Sequence, residues 1–145
     1  MKNLYLILEH LPLTILICII AFLKTAQLEI VFFVLIFGWL LDIDHIIDYS
    51  IYLYRNKKIK ISLIFFFSGK YFKKNKKIFV FLHSYEIPLF LNIIFYSTNN
   101  YEYIFVSISY LVHILQDQFT NNVKPFSYFL TYRLLINFDL KKICR

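Results

Sequence analysis

Charge is scarce in this chain, and negative charge scarcest. Charged residues fill 17% of the 145 positions, and Asp and Glu together number 9. A soluble globular domain carries about 25% charged residues. With 59% hydrophobic residues and a mean hydropathy of +0.61, the surface is too apolar for water, which points to an integral membrane protein. Cysteine is nearly absent. Cys18 and Cys144 are the two present, too few for a disulfide framework and without metal-type spacing. Glycine is equally sparse, with two residues. Ser68-Gly69-Lys70 therefore reads as a turn and not a phosphate loop, because the wider glycine pattern is missing. Of the three prolines, Pro12 interrupts the first apolar run, Pro88 predicts a kink, and Pro125 breaks the C-terminal tail. No internal repeat or low-complexity tract is present.

What is abundant is apolar sequence in long runs. About twenty apolar residues cross a bilayer core of about 30 Å. The expected fold is an all-α, integral membrane bundle of about four transmembrane helices in a single domain, with an interfacial basic loop. The spans are expected near 4–23, 28–53, 78–96 and 103–119, the basic loop at 54–77 and a tail at 120–145. The first run follows Lys2 but lacks a clean small-residue cleavage site, so a retained helix is expected over a cleaved signal peptide. Lys24 to Gln27 forms a tight turn.

Positive charge is concentrated. Between Tyr49 and Phe79 stand Arg55, Lys57, Lys58, Lys60, Lys70, Lys73, Lys74, Lys76 and Lys77, with no acid among them. By the positive-inside rule this loop is cytoplasmic, and so are both termini. The localisation expected is the inner (cytoplasmic) membrane of a bacterium, multi-pass. A nucleic-acid or anionic-lipid patch is the competing reading of the same charge. Within the loop, Ile61 to Phe67 is too short to span and is expected at the interface, with Tyr71 and Phe72 as further anchors.

Against this background, Asp42-Ile43-Asp44-His45-Ile46-Ile47-Asp48 stands out. It sets three carboxylates and an imidazole in an apolar run. Burying such groups costs several kcal/mol unless they are paired, protonated or metal-bound. At helical pitch Asp44, Asp48 and His45 fall within roughly a 100° arc, with Asp42 beside His45. Mixed oxygen and nitrogen ligands suit zinc or manganese. The topology carries the other histidines to the same depth. His10 follows Glu9 near the inner end of span one, His83 precedes Glu86 near the start of span three, and His113 precedes Asp117 by one turn near the end of span four. A histidine and an acid at i, i+3 or i, i+4 can chelate one ion, or the acid can orient the imidazole. Each pair also has a bland reading, as an interhelical hydrogen bond. Asp42 and Asp48 have theirs as caps or partners of the basic loop.

The candidate metal ligands are thus His10, Asp42, Asp44, His45, His83, His113 and Asp117, more than one ion needs. Glu86 is a candidate general base, with ligand and surface charge as alternatives. Arg133, beside Tyr132, is a candidate phosphate clamp, with a plain inside positive charge as its alternative.

At these residues the chain resembles the YdjM-like (DUF457) family of membrane-bound, metal-dependent hydrolases. His10 matches that family's early His, and Asp42-Ile43-Asp44-His45 its Asp-x-Asp-His block. His83-Ser84 matches a His-Ser segment, and His113 with Asp117 a His-x-x-x-Asp segment. Phe119-Thr120-Asn121 and Pro125-Phe126 look like the turn that ends such proteins. Leu41 stands where the family usually has proline. The resemblance implies a helical site related to zinc-dependent phospholipase C and P1 nuclease, hence phosphoester cleavage with a divalent metal, zinc in the first place. The expected function is a membrane-embedded hydrolase acting on a lipid-like phosphoester at the cytoplasmic face. The expected partners are membrane lipids and no nucleic acid. The alternative is a non-catalytic membrane protein with a structural metal site, or a metal or proton path. A lipid or nucleic-acid tether acting through the basic loop ranks third.

Overall fold

The structure, a computed structural model, describes residues 9–58 and 60–144, without the side chain of Phe67. The part of the first expected span before Glu9 lies outside the described residues. Helix α1, Leu11–Thr25, starts directly after His10 because Pro12 occupies its first turn, where a missing amide costs nothing. It ends at Ala26, whose left-handed backbone (φ 54°) returns its N–H to the Phe22 carbonyl. This is the expected tight turn. Helix α2, Leu28–Trp39, buries Ile30, Val34 and Gly38, one residue per turn along a single stripe. It runs through a 3-10 stretch, Leu40–Asp44, into α3, His45–Arg55. Helix α7, Ile104–Thr120, buries Val106, Ser107, Tyr110, His113, Ile114 and Asp117 on a matching stripe.

Helices α1, α2 and α7 form the centre of an all-helical fold with no strand among the described residues. Their shared core holds Ile17, Cys18, Ala21, Ile30, Val34 and Val106. Small side chains let the backbones approach. A Cβ added at Gly38 would lie 2.1 Å from Ser109 Oγ and 2.7 Å from Thr14 Oγ1, so glycine is required there by space. At the far end of the bundle, Gln27 Nε2 donates to Glu102 (2.6 Å) and the Tyr103 hydroxyl to Glu29 (2.7 Å), tying the two turns together.

Among the described residues, one helical segment is long and apolar enough to cross a membrane, the 28 residues Leu28–Arg55. The helices Leu11–Thr25 and Glu86–Ser97 are apolar but shorter. At 1.5 Å per residue, the latter reaches only about 18 Å. Outward-facing Leu16, Ile19, Leu23, Phe32, Phe90 and Ile93 leave an exposed apolar belt around these helices.

The third apolar run departs from expectation. Helix α6 is Glu86–Ser97, and residues 78–85 form an irregular, bent strap instead of its first two turns. The reason is long-range. Asp48 accepts the Phe79 and Val80 amides (3.0 Å each), and Asp44 accepts the Leu82 amide (2.9 Å). Those donors are therefore not available to a helix. Pro88 consequently sits in the first turn of α6, where it starts the helix and produces no kink.

The basic loop folds into two short helices, α4 (Leu63–Phe67) and α5 (Lys70–Asn75), joined at Gly69, whose φ is +62°. They pack on α3 through Phe65, Phe66, Tyr49, Tyr52 and Tyr71. The tail is also ordered. A 3-10 turn (Pro125–Tyr128), α8 (Leu130–Leu135) and α9 (Leu140–Ile143) fold back against the strap. The Ile78 amide donates to Phe138 (3.1 Å) and the Leu140 amide to Lys76 (3.0 Å).

Candidate metal centre

Four segments deliver their polar side chains to one end of the bundle. His10 precedes α1, Asp42 and His45 flank the junction of α2 and α3, His83 sits on the strap, and His113 and Asp117 face inward from α7. The local reasons differ. Asp42 and Asp44 lie in the 3-10 stretch, whose tighter pitch of about three residues per turn shifts their direction relative to a continuous α-helix. His113 and Asp117, one α-turn apart, share a face and are both buried.

The geometry is convergent. All four imidazoles turn Nε2 toward two carboxylates. His10 Nε2 lies 3.3 Å from Asp117 Oδ1, and His45 Nε2 lies 3.2 Å from Asp42 Oδ1. His83 Nε2 lies 3.1 Å from Asp42 Oδ1 and 3.3 Å from Asp117 Oδ2. His113 Nε2 lies 3.7 Å from Asp42 Oδ1 and 3.3 Å from His83 Nε2. The rings of His10 and His113 stack at 3.8 Å. Two ligand groups result, each with its ligand atoms within 4.8 Å of one another. One is His10, Asp42, His113 and Asp117; the other is Asp42, His45 and His83. Asp42 belongs to both.

This arrangement fits a divalent metal. Ligand atoms on a tetrahedral zinc, with bonds of about 2.0–2.1 Å, stand about 3.3 Å apart. Two Nε2 atoms facing each other need either a proton between them or a shared cation. Two of the four other ring nitrogens are set as metal-binding histidines require. His113 Nδ1 lies 3.0 Å from the Gly38 carbonyl, and His83 Nδ1 lies 3.1 Å from Asp44 Oδ1. Nδ1 of His10 and of His45 is buried and has no hydrogen-bond partner among the described residues. His10, His83 and His113 are buried, while Asp42 and His45 are partly open. They open onto a cavity of about 250 Å³, walled beyond the ligands by Phe66, Gly69, Tyr71, Phe72 and Asn121. Burial, with the charges of Asp48, Asp44 and Asp42 adding to it, pushes the Tyr71 phenol well above its ordinary pKa. Tyr71 is a wall of this cavity.

Three candidates occupy other places. Asp44 lies outside both ligand groups; its Oδ2 accepts the Leu82 amide and faces His83 Nδ1, while its Oδ1 is buried without a hydrogen-bond partner among the described residues. In this position it orients the His83 ring. Glu86, the candidate base, accepts the Leu130 and Thr131 amides (3.0 and 2.9 Å) and the hydroxyls of Thr131 and Ser84 (2.9 and 2.7 Å). Four donors saturate a carboxylate, and they do so because Glu86 caps the start of α8. Arg133, the candidate clamp, is 1% exposed. Its guanidinium donates to the carbonyls of Val80 and His83, and burial pulls its pKa below the ordinary value. It holds the strap and is not among the residues lining the cavity, and its Nε is buried without a hydrogen-bond partner among the described residues.

Sequence reasoning passed over Gly38, whose carbonyl orients His113, and Tyr110, whose hydroxyl donates to the Leu82 carbonyl. A glycine inside an apolar helical run was the available signal for the first, since such a residue marks close approach of another backbone or side chain. Nothing local marks the second. Comparison of the chain with protein-family models, with curated proteins and with solved structures returns no significant match.

Proposed function

We propose that this chain is a membrane-embedded, metal-dependent hydrolase of the YdjM-like kind, cleaving a lipid-like phosphoester at the cytoplasmic face. The observation that carries the reading is the convergence of four Nε2 atoms on Asp42 and Asp117 at the floor of an open cavity. A closed structural site would leave no ligand facing a cavity, whereas Asp42 and His45 face one. The exposed apolar belt supports burial of the bundle in lipid. The ligands lie at the same end as the lysine-rich loop, and the positive-inside rule assigns that end to the cytoplasm.

A bound divalent metal, zinc by its nitrogen and oxygen donors with manganese as alternative, supplies polarisation of a phosphoryl oxygen and acidification of water. The chain's own residues do the rest. His10, Asp42, His113 and Asp117 would form one ligand group, and Asp42, His45 and His83 the other. The Gly38 carbonyl and the Asp44 carboxylate accept from Nδ1, which leaves Nε2 of His113 and His83 unprotonated for ligation. Phe66, Tyr71 and Phe72 wall the approach to the ligands.

The test is metal analysis of the full chain purified in detergent, beside a hydrolysis assay with a phosphodiester lipid. The parent chain is expected to retain a transition metal and to lose thermal stability on adding chelator. Asp42→Ala is expected to lose all metal, because it serves both groups, and His45→Ala only part. A purified chain that holds no transition metal and is indifferent to chelator overturns the proposal. Metal retained through extensive assay without hydrolysis favours the structural site or ion path instead.

A further inference from the structure

The α4–α5 hairpin sorts its apolar residues by kind. Its described aromatic side chains, Phe65, Phe66, Tyr71 and Phe72, are buried or half-buried. Phe65 packs on Tyr52 (ring centroids 5.1 Å) and Phe66 on Tyr49 (5.3 Å), while Tyr71 closes on Tyr49 (5.4 Å). The Ser62 amide donates to the Tyr49 hydroxyl at 2.9 Å, fixing where the hairpin begins. Its aliphatic side chains face outward. Ile61, Leu63 and Ile64 are 72%, 67% and 78% exposed. Around them stand Lys57, Lys58, Lys60, Lys70, Lys73 and Lys74, all exposed, and no acid occurs between Tyr49 and Tyr85 to neutralise them.

We propose that this hairpin is a docking element for anionic phospholipid, with Ile61, Leu63 and Ile64 entering the acyl boundary and the lysines meeting headgroup phosphates. The pairing of aliphatic tips with a lysine rim selects that occupant. An interfacial element buries aliphatic side chains just below the headgroups and keeps its cations at their level. A nucleic-acid surface instead offers aromatic or arginine planes for stacking; the described aromatics of the hairpin are buried or half-buried, and the exposed Tyr54-Arg55 pair lies outside it, at the end of α3. The inner side of the same hairpin, through Phe66, Gly69, Tyr71 and Phe72, walls the cavity above the ligand cluster. Docking therefore sets the cavity mouth against the headgroup layer, a consequence beyond the hydrolase reading and one that holds whether or not metal is bound.

The experiment uses the full chain with Cys18 and Cys144 replaced by Ala and an environment-sensitive fluorophore at Ile64→Cys. It is reconstituted in nanodiscs of phosphatidylcholine alone, or of phosphatidylcholine with phosphatidylglycerol. Expected is a blue-shifted emission, quenched by spin-labelled acyl chains, in the anionic discs. The shift is expected to weaken as salt is raised to about 1 M, where the Debye length falls to about 3 Å. Replacing Lys57, Lys60, Lys70 and Lys73 together by Gln is expected to abolish the lipid dependence while leaving metal content unchanged. Identical emission and quenching in both disc types, insensitive to salt, overturns the proposal. So does displacement of the signal from anionic discs by a single-stranded oligonucleotide, which would assign the lysines to nucleic acid. The comparison of disc types is made on the chain with native lysines, so it stands even where the four-fold variant fails to fold.

Discussion

Arg133 donates from Nη2 to the carbonyl oxygen of His83 at 2.6 Å, across 50 residues of chain. Its Nη1 reaches the Val80 carbonyl, so one guanidinium grips the strap by two carbonyls, while Asp44 and Asp48 hold its amides. Replacing it by Met removes two charge-assisted hydrogen bonds from a buried site, each worth about 1.5–3 kcal/mol. Arg133→Met is expected to destabilise the chain by about 3 kcal/mol or more, and to weaken metal binding by about 10–100-fold through the loosened His83. Thermal unfolding in detergent and a metal titration read the two effects. Arg133→Lys should recover part of the stability.

Asp44 and Asp42 should behave differently although only Ile43 separates them. Asp44→Asn keeps an acceptor for the Leu82 amide but turns a donor amide toward His83 Nδ1. That favours the tautomer with the proton on Nε2, which cannot ligate. Asp44→Ala leaves the Leu82 amide without its acceptor but allows the imidazole either tautomer. The Asn variant is therefore expected to lose more metal affinity and the Ala variant more stability. Equal losses in both would make Asp44 a plain ligand.

For Glu86 the expectation is a split between stability and chemistry. Glu86→Gln weakens the hold on the Leu130 and Thr131 amides and should cost about 1–2 kcal/mol. Metal content, and turnover per metal-loaded molecule, should stay unchanged. A general base at this position would instead lose about 10²–10⁴-fold in rate.

Gly38→Ala tests the helix contact beneath the site. The new methyl meets Ser109 Oγ at 2.1 Å and Thr14 at 2.7 Å, so the helices must separate. Overpacking of this kind costs about 1–3 kcal/mol, and it moves the carbonyl that orients His113. Both the melting temperature and the metal affinity are expected to fall. Adding Ser109→Ala should restore part of the loss but not all, because Thr14 remains in the way.

The sequence made some of this legible and hid the rest for identifiable reasons. Helices α1, α2 and α7 follow from apolar runs with one buried stripe each. His10, Asp42, His45, His83, His113 and Asp117 stand together in the sequence as ionisable residues in apolar runs, and the structure brings them together. Asp44 could not be separated from Asp42, since the 3-10 stretch changes the angle per residue and its presence is not encoded in the apolar pattern. The strap is the clearest loss. Residues 78–85 read as helix by composition, and what undoes that helix is a pair of carboxylates more than 30 positions earlier. Glu86 and Arg133 look functional in sequence because an ionisable group in apolar surroundings attracts a role. Their partners are backbone amides and carbonyls, which no side-chain motif announces.

The strap held by its carbonyls and its amides also has a temporal meaning. Asp44 and Asp48 are synthesised before His83, but Arg133 follows it by 50 residues, a gap of several seconds at about 5–20 residues per second of translation. During that interval the His83 backbone carbonyl lacks its late partner, while the amides of Phe79, Val80 and Leu82 already have theirs. Closure of the strap is thus tied to synthesis of the tail, and a nascent chain paused between these two residues would hold the strap by its amides without the guanidinium.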